Sequence, residues 1–411
     1  MCIVVFNCFH FFNDILQVVM KIEHILGIFS PEHGGPTIGI GNYVRGQAAH
    51  GHQIKLRVLE GFPNTSPAVR LNSVVDQQIF PVAMPAVSCR SPKLKAFLKR
   101  EPSPDLYHLH GTWPLPSKYG ADEARRRRIP YVVEMMGSYQ PHELVRKPWR
   151  KRLFRSWFAD RMLHEASCIH TNSRMEMEQL IALGFRGPFA PIPVGFDTAA
   201  ATEMERQLNG TPPEFAIQWK TSRFVLFLAR VHPNKGIELL LEAWARLAKD
   251  FPDVRLVVAG PGQPDYKSDL VAKTKSLGIG RIDFLNYVTE LEKVWLYKNA
   301  FVYCLPSFGE NFGATIQDAL GFGTPVITTR RTPWWGIEHQ SVGWLAEPNV
   351  SSVEEKLRQA LGLGNADRTL ISEKARKWIR QEFSLEEAIN KQLQMYAWLC
   401  GGERPGFVVS Q

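Results

Sequence analysis

Two rhythms of apolar and polar positions alternate along the chain. Short apolar runs bounded by Gly and Pro predict strands, and the unbroken ones predict strands covered on both faces. They fall at residues 21–29, 53–59, 105–110, 131–136 and 168–172, and again at 224–229, 254–259, 282–285, 301–305 and 326–329. Apolar residues spaced three and four apart predict helices: up to His50, over 148–165, 174–183 and 237–249, and from 313 to 320. In the fourth of these Leu240, Trp244, Leu247 and Ala248 share one stripe. The last element opens on Ser384-Leu385-Glu386-Glu387, a capping box. Its stripe is Leu385, Ala388, Ile389, Leu393, Tyr396 and Ala397.

Strand, glycine loop, helix, strand is the opening of a doubly wound α/β unit, and the order occurs twice. The predicted organisation is an N-terminal Rossmann-like domain over 20–190, a linker over 191–222, a second Rossmann-like domain over 223–383 and a terminal helix over 384–400. Two such domains predict a cleft between them, a common place for ligands. Residues 1–19 are apolar, but Asn7, His10, Asn13 and Asp14 interrupt them. That leaves the segment short of a spanning helix, and it lacks the basic start of a signal peptide. Met20 reads as the natural start, and 1–19 as a non-native or disordered extension.

Composition adds two constraints. The six cysteines (Cys2, Cys8, Cys89, Cys168, Cys304, Cys400) show no paired or metal-ligand spacing, which argues for a reducing cytoplasm and against a zinc site or disulfide framework. The net charge of +9 sits in the first half: residues 1–200 hold 24 Lys and Arg against 16 Asp and Glu, and the rest hold 25 against 24. The densest aromatic-basic run is Arg146-Lys147-Pro148-Trp149-Arg150-Lys151-Arg152-Leu153-Phe154-Arg155. Such a surface suits anionic lipid headgroups or an anionic acceptor; a solvated helix face accounts for it equally well. No nucleic-acid motif accompanies the charge.

The strongest candidate chemistry lies in Ser307-Phe308-Gly309-Glu310-Asn311-Phe312-Gly313-Ala314-Thr315-Ile316-Gln317-Asp318. Glu310 falls in a strand-to-helix loop, beside the unpaired N–H groups of a helix start, where an anion such as a diphosphate is favoured. Asp318 lies two turns further on, near the same side. Either acid alone reads as a solvated side chain. The pair gains weight from other strand-end loops: Gly34-Gly35, His110-Gly111, Met136-Gly137, and Arg230 with Lys235. In open α/β sheets these carboxyl ends are where ligands bind. Taken singly, Lys235 reads as a loop lysine, Arg230 as a surface ion-pair member and His110 as a structural histidine.

Together these residues resemble the large retaining glycosyltransferase family 4 of the GT-B fold, over nearly all of 20–399. The resemblance rests on Glu310-x7-Asp318, Arg230-x4-Lys235, Gly34-Gly35, His110-Gly111 and Pro193-x-Gly195-x-Asp197. Thr332-Pro333-Trp334 is similar to members that build bacterial surface polysaccharide and lipopolysaccharide. The resemblance implies two facing Rossmann-like domains with the C-terminal helix packing back on the first. It implies transfer of a hexose from a UDP- or GDP-linked sugar to a saccharide or lipid-linked acceptor, with no metal and no cofactor beyond the donor. Arg230 and Lys235 would bind the diphosphate and stabilise the leaving group. Glu310 would hold donor-sugar hydroxyls, with Asn311, Phe312 and Gly313 near sugar and phosphate. Asp318 would take the ribose position, Gly34 and Gly35 would meet the diphosphate, and His110 would lie near the reacting sugar. The cysteine pattern gives the expected location as the cytoplasm, and the basic run leaves open attachment to the inner face of the membrane. Two positions depart from the family. Asp318 is one methylene shorter than the usual Glu. Met136 stands where many members have His, so His110 or His142 covers that sugar contact, or it is missing.

A nucleotide-sugar epimerase of the same fold and a non-catalytic nucleotide-sugar binder are the alternatives. A phosphorylase would need a pyridoxal-phosphate lysine, and a dehydrogenase is disfavoured because the first glycine loop lacks G-x-G-x-x-G spacing.

Overall fold

The computed structural model describes residues 19–410 except 64, 87, 88, 146, 147, 209 and 220–222. The expectation for 1–19, Cys2, Cys8, Arg146, Lys147 and the His142 side chain fall outside the described residues, save Val19.

Among the described residues, thirteen strands form two parallel sheets. The first seven are β1 (Lys21–Ile28), β2 (Gln53–Glu60), β3 (Asp76–Pro81), β4 (Leu106–His110), β5 (Tyr131–Glu134), β6 (Cys168–Thr171) and β7 (Phe189–Pro191). Their order is β3-β2-β1-β4-β5-β6-β7. The remainder are β8 (Arg223–Leu228), β9 (Val254–Ala259), β10 (Ile282–Leu285), β11 (Val302–Leu305), β12 (Val326–Thr329) and β13 (Gly343–Ala346), in the order β10-β9-β8-β11-β12-β13. In each sheet the order reverses beside the first strand, the arrangement of a doubly wound fold.

The chain forms two compact units, residues 1–110 with 114–132 and residues 111–113 with 133–411. In the first, β1 and β2 run in register from Lys21 opposite Gln53 to Ile25 opposite Arg57. Ile22, Ile25, Leu56 and Val58 are fully buried there. In the second, all of Phe224 to Leu228 is buried, as a strand covered on both faces requires. Leu240, Trp244 and Leu247 of the helix Ile237–Leu247 pack into that core, while Ala248 is only partly covered.

Three strands escape the sequence pattern: β3, β7 and β13. The predicted linker holds two helices, Thr198–Gln207 and Glu214–Ile217. The single helix predicted over 148–165 is three pieces: Pro148–Phe154, a π turn at Arg155–Ala159, and Asp160–His164. A π turn inserts one residue and shifts the helical phase. The seven residues before it bury nothing, whereas Phe158 and Ala159 within it and Met162 and Leu163 beyond it are buried.

The terminal helix is Leu385–Leu399, with Ser384 Oγ accepting the Glu387 N–H at 3.1 Å. Ala388, Ile389, Leu393 and Tyr396 are buried as the stripe predicts, whereas Ala397 is exposed. Beyond it, Val409 and Phe189 of β7 exchange both backbone hydrogen bonds, at 2.7 and 2.8 Å. Among the described residues no helix is long and apolar enough to cross a membrane.

Candidate functional site

Two loops of the second unit are stitched together at the carboxyl ends of β8 and β11. After β8, a 3-10 turn (Pro233–Lys235) ends at Gly236, whose φ is 68°. A Cβ on Gly236 would lie 2.0 Å from the Pro306 carbonyl oxygen, so only glycine lets the loops approach this closely. Phe308 N–H and Ser307 Oγ both donate to the Asn234 carbonyl, at 2.9 and 3.0 Å, and Asn234 Nδ2 donates to the Gly309 carbonyl at 3.0 Å. This seam brings Lys235 onto Glu310: Nζ lies 2.7 and 2.8 Å from its two carboxylate oxygens. Both side chains are largely buried. Arg230, at the end of the same strand, is exposed and has no side-chain partner among the described residues.

The helix Ala314–Gly321 starts at Gly313, left-handed at φ 83°. In the loop before it, Ser173 Oγ donates to the Asn311 carbonyl at 3.0 Å, and the indole N–H of buried Trp334 donates to the Phe312 carbonyl. A trans peptide sets its C=O and N–H in opposite directions. With those two carbonyls drawn toward Ser173 and Trp334, the N–H groups of Phe312 and Gly313 point the other way. That arrangement suits an anion at the helix start.

Asp318 lies on this helix, half-buried, and its carboxylate has no hydrogen-bond partner among the described residues. Burial pushes its carboxyl up to about 7; Glu290 adds to the rise and Lys293 opposes it. Burial pushes up the phenol of Tyr303, the Thr315 hydrogen bond opposes the rise, and the charges of Glu310 and Asp318 add to it. Tyr303 is fully buried and its hydroxyl meets Thr315 Oγ1 at 2.8 Å. The Pro193-x-Gly195-x-Asp197 segment supports the helix from below. Gln317 Nε2 donates to the Val194 carbonyl at 2.6 Å, and Asp197 caps the helix Thr198–Gln207 through the Ala200 N–H at 2.9 Å.

In the first unit Gly34, at φ 62°, precedes the helix Gly35–Ala49. Nothing lies within 4 Å of where a Cβ would stand on Gly34 or Gly35, so the backbone is open to close approach. His110 ends β4 and is buried. Its Nε2 lies 3.0 Å from His24 Nδ1, and His24 Nε2 lies 2.9 Å from Gln47 Oε1. His24, His108 and His110 place ring nitrogens within 4.8 Å of one another, a cluster that no sequence spacing announces. Both nitrogens of His24 are already engaged, so the group reads as a hydrogen-bonded chain. Gln47 Oε1 can only accept, so His24 Nε2 donates to it, and in a neutral His24 ring Nδ1 is then the acceptor toward His110 Nε2.

The sequence singled out neither Glu176 nor Asn234, and noted Trp334 only as part of a motif. The spacing Ser173-x-x-Glu176 is a capping-box signal that could have drawn attention to Glu176.

The architecture agrees with comparisons to known proteins. Residues 34–195 match the glycosyl transferase 4-like domain, and residues 214–378 match glycosyl transferases group 1. The chain belongs to this glycosyltransferase family, of the GT-B fold. An uncharacterized glycosyltransferase of Haemophilus influenzae is 25% identical over 174 residues, 41% of this chain and 48% of that protein. The phosphatidyl-myo-inositol mannosyltransferase of Mycolicibacterium smegmatis is 35% identical over 153 residues, 37% of this chain and 36% of that protein. The chain thus spans about half or less of the length of the curated relatives it matches. In fold it is similar to Anabaena HepE, solved in complex with UDP and glucose, with a TM-score of 0.71 and 17% identity over 92% of this chain and 100% of that one.

Proposed function

We propose that this protein is a hexosyltransferase that moves a sugar from a nucleotide-diphosphate donor to a saccharide or lipid-linked saccharide, with retention and without a metal. The observation that carries the reading is the joining of Lys235 to Glu310 beside the Phe312 and Gly313 N–H groups. A cation for the diphosphate, an acid for sugar hydroxyls and an anion-favouring helix start meet there. Negative charge grows on the departing diphosphate, and fixed cations help most where charge develops. Arg230 and Lys235 supply them, in place of a metal ion. Glu310 accepts from sugar hydroxyls, and Asp318 from the ribose. His110, Gly34 and Gly35 belong to the other unit; their strand-end and glycine-loop positions support roles near the reacting sugar and the phosphate. UDP is the first nucleotide to test, because HepE was solved with it.

The partner surface we propose is an anionic membrane, reached from the cytoplasm. Val145, Trp149, Leu153 and Trp157 recur at every fourth position and are 57–73% exposed. Arg150, Lys151 and Arg152 lie among them, and a cavity of about 290 Å³ beside them is lined in part by Lys151, Arg152 and Arg155. Apolar side chains flanked by cations suit the headgroup region of an anionic bilayer.

The test is a thermal-shift screen with UDP and GDP, followed by measurement of nucleotide release from a panel of sugar donors with acceptor. Nucleotide at a hundredfold over its dissociation constant adds about 2.7 kcal/mol of stability. Release from one donor in the presence of acceptor is the expected result. Stabilisation without release over a broad panel favours a binding protein, and no shift with any nucleotide sinks the reading.

A further inference from the structure

Glu176 is a buried acid to which none of the roles above assigns a task. It sits in the first turn of the helix Arg174–Ala182, capped by Ser173, whose Oγ accepts the Glu176 N–H at 3.1 Å. In a capping box the acid at this spacing turns back to the N–H of the cap itself. Here it does not. Its carboxylate accepts the Gly137 N–H at 2.7 Å and the Asn172 N–H at 2.8 Å. With the Asn311 carboxamide turned to satisfy its neighbours, Nδ2 donates to both Glu176 oxygens, at 2.7 and 3.0 Å. The Asn311 Oδ1 then accepts from Gly137 N at 3.2 Å and Asn172 Nδ2 at 3.3 Å.

We propose that Glu176 is a positioning residue for the donor: through Asn311 it holds the Glu310–Gly313 loop with the Phe312 and Gly313 N–H groups facing the diphosphate. The inference rests on the transferase reading above. Glu176 joins three segments distant in sequence: the loop after β5, the start of the helix after β6, and the loop after β11. Asn311 is gripped twice, by Glu176 at its side chain and by Ser173 at its carbonyl. Trp334 then fixes the next carbonyl. Each grip sets one peptide plane, and the planes set where the following N–H groups point. An all-protein anchor of this kind is how a site is pre-organised before its ligand arrives. A merely structural acid would need the Gly137 and Asn172 donors but not the one from Asn311.

Glu176→Gln, Glu176→Ala and Asn311→Ala test this, with UDP as the probe. Calorimetric titration measures affinity, melting curves measure stability, and hydrogen exchange follows the Phe312 and Gly313 amides. UDP affinity is expected to fall tenfold or more in both alanine variants and by less in Glu176→Gln, which keeps one acceptor oxygen. Exchange at the two amides should rise in the same order. Asn311→Ala leaves the buried carboxylate with its backbone donors, so it remains informative where Glu176→Ala fails to fold. Lowered melting temperature with unchanged UDP affinity would overturn the proposal alone. Wild-type protein that binds neither UDP nor GDP overturns the transferase reading and this inference with it.

Discussion

Lys235 and Glu310, 75 residues apart, form a two-oxygen ion pair at 2.7 and 2.8 Å where a donor would meet the protein. In the free protein each is the other's counter-ion. In the proposed function a bound diphosphate would offer Lys235 a second anion and a bound sugar would offer Glu310 hydroxyl donors, so the pair would be exchanged for ligand contacts as the donor arrives.

That exchange is measurable. A double-mutant cycle of Lys235→Ala and Glu310→Ala, read by chemical unfolding, is expected to give a coupling of about 1–3 kcal/mol without nucleotide. Saturating UDP-glucose should shrink it for those proteins that still bind. Each single variant should lose transfer while staying folded. A coupling near zero in the free protein would show that the pair is solvated and interchangeable.

With Asp318 in the proposed ribose-binding role, donor binding is expected to depend on pH. Its carboxyl is raised to about 7, and a ribose hydroxyl donates to the ionised form. Binding therefore releases a proton, and affinity for UDP-glucose is expected to rise between pH 6 and 8 and level off above. UDP-glucose is the better probe here, since UDP titrates near neutrality itself. Asp318→Asn should flatten the profile. Stability runs the other way. A carboxyl whose folded value lies above its unfolded one costs stability as pH rises between the two. Asp318→Asn should thus raise the melting temperature at pH 8 and leave it nearly unchanged at acidic pH below the unfolded value.

Gly236→Ala places a Cβ against the Pro306 carbonyl at a left-handed backbone position. The backbone conformation alone costs about 1–3 kcal/mol, and the overlap adds to it. Urea unfolding should record a loss at least that large, together with weaker nucleotide binding, because Lys235 is the preceding residue. Wild-type stability in this variant would mean that the seam is loose.

For the membrane surface, the measurement is flotation with vesicles of neutral and of anionic lipid. Wild-type protein is expected to float with the anionic vesicles and less as salt rises. Trp149→Ala with Trp157→Ala should lower the bound fraction without changing nucleotide affinity. Equal flotation of wild type and double variant would leave the run as a solvated helix face.

The strands that could be read from the sequence are those whose own residues demand burial, such as Phe224 to Leu228. β3 reads Asp-Gln-Gln-Ile-Phe-Pro and is only half-covered, and β7 is three residues long. β13 exists because Gly343 to Ala346 pairs with β12. These are strands by virtue of a neighbour's hydrogen bonds, which no local pattern encodes. The π turn at 155–159 is likewise a choice of phase made by packing. At the site, residue types at strand ends were legible because the doubly wound order fixes where those ends lie. The Lys235–Glu310 contact, the Glu176–Asn311 contact and the histidine chain were not, since each joins segments far apart in sequence.

The paired bonds between Phe189 and Val409 bear on how the chain can be handled. β7 is the last strand of its sheet, and Val409 occupies part of its outer rim. Trimming the chain after Cys400 would bare that rim, and an uncovered rim recruits strands from other molecules. Shortened versions are therefore expected to self-associate.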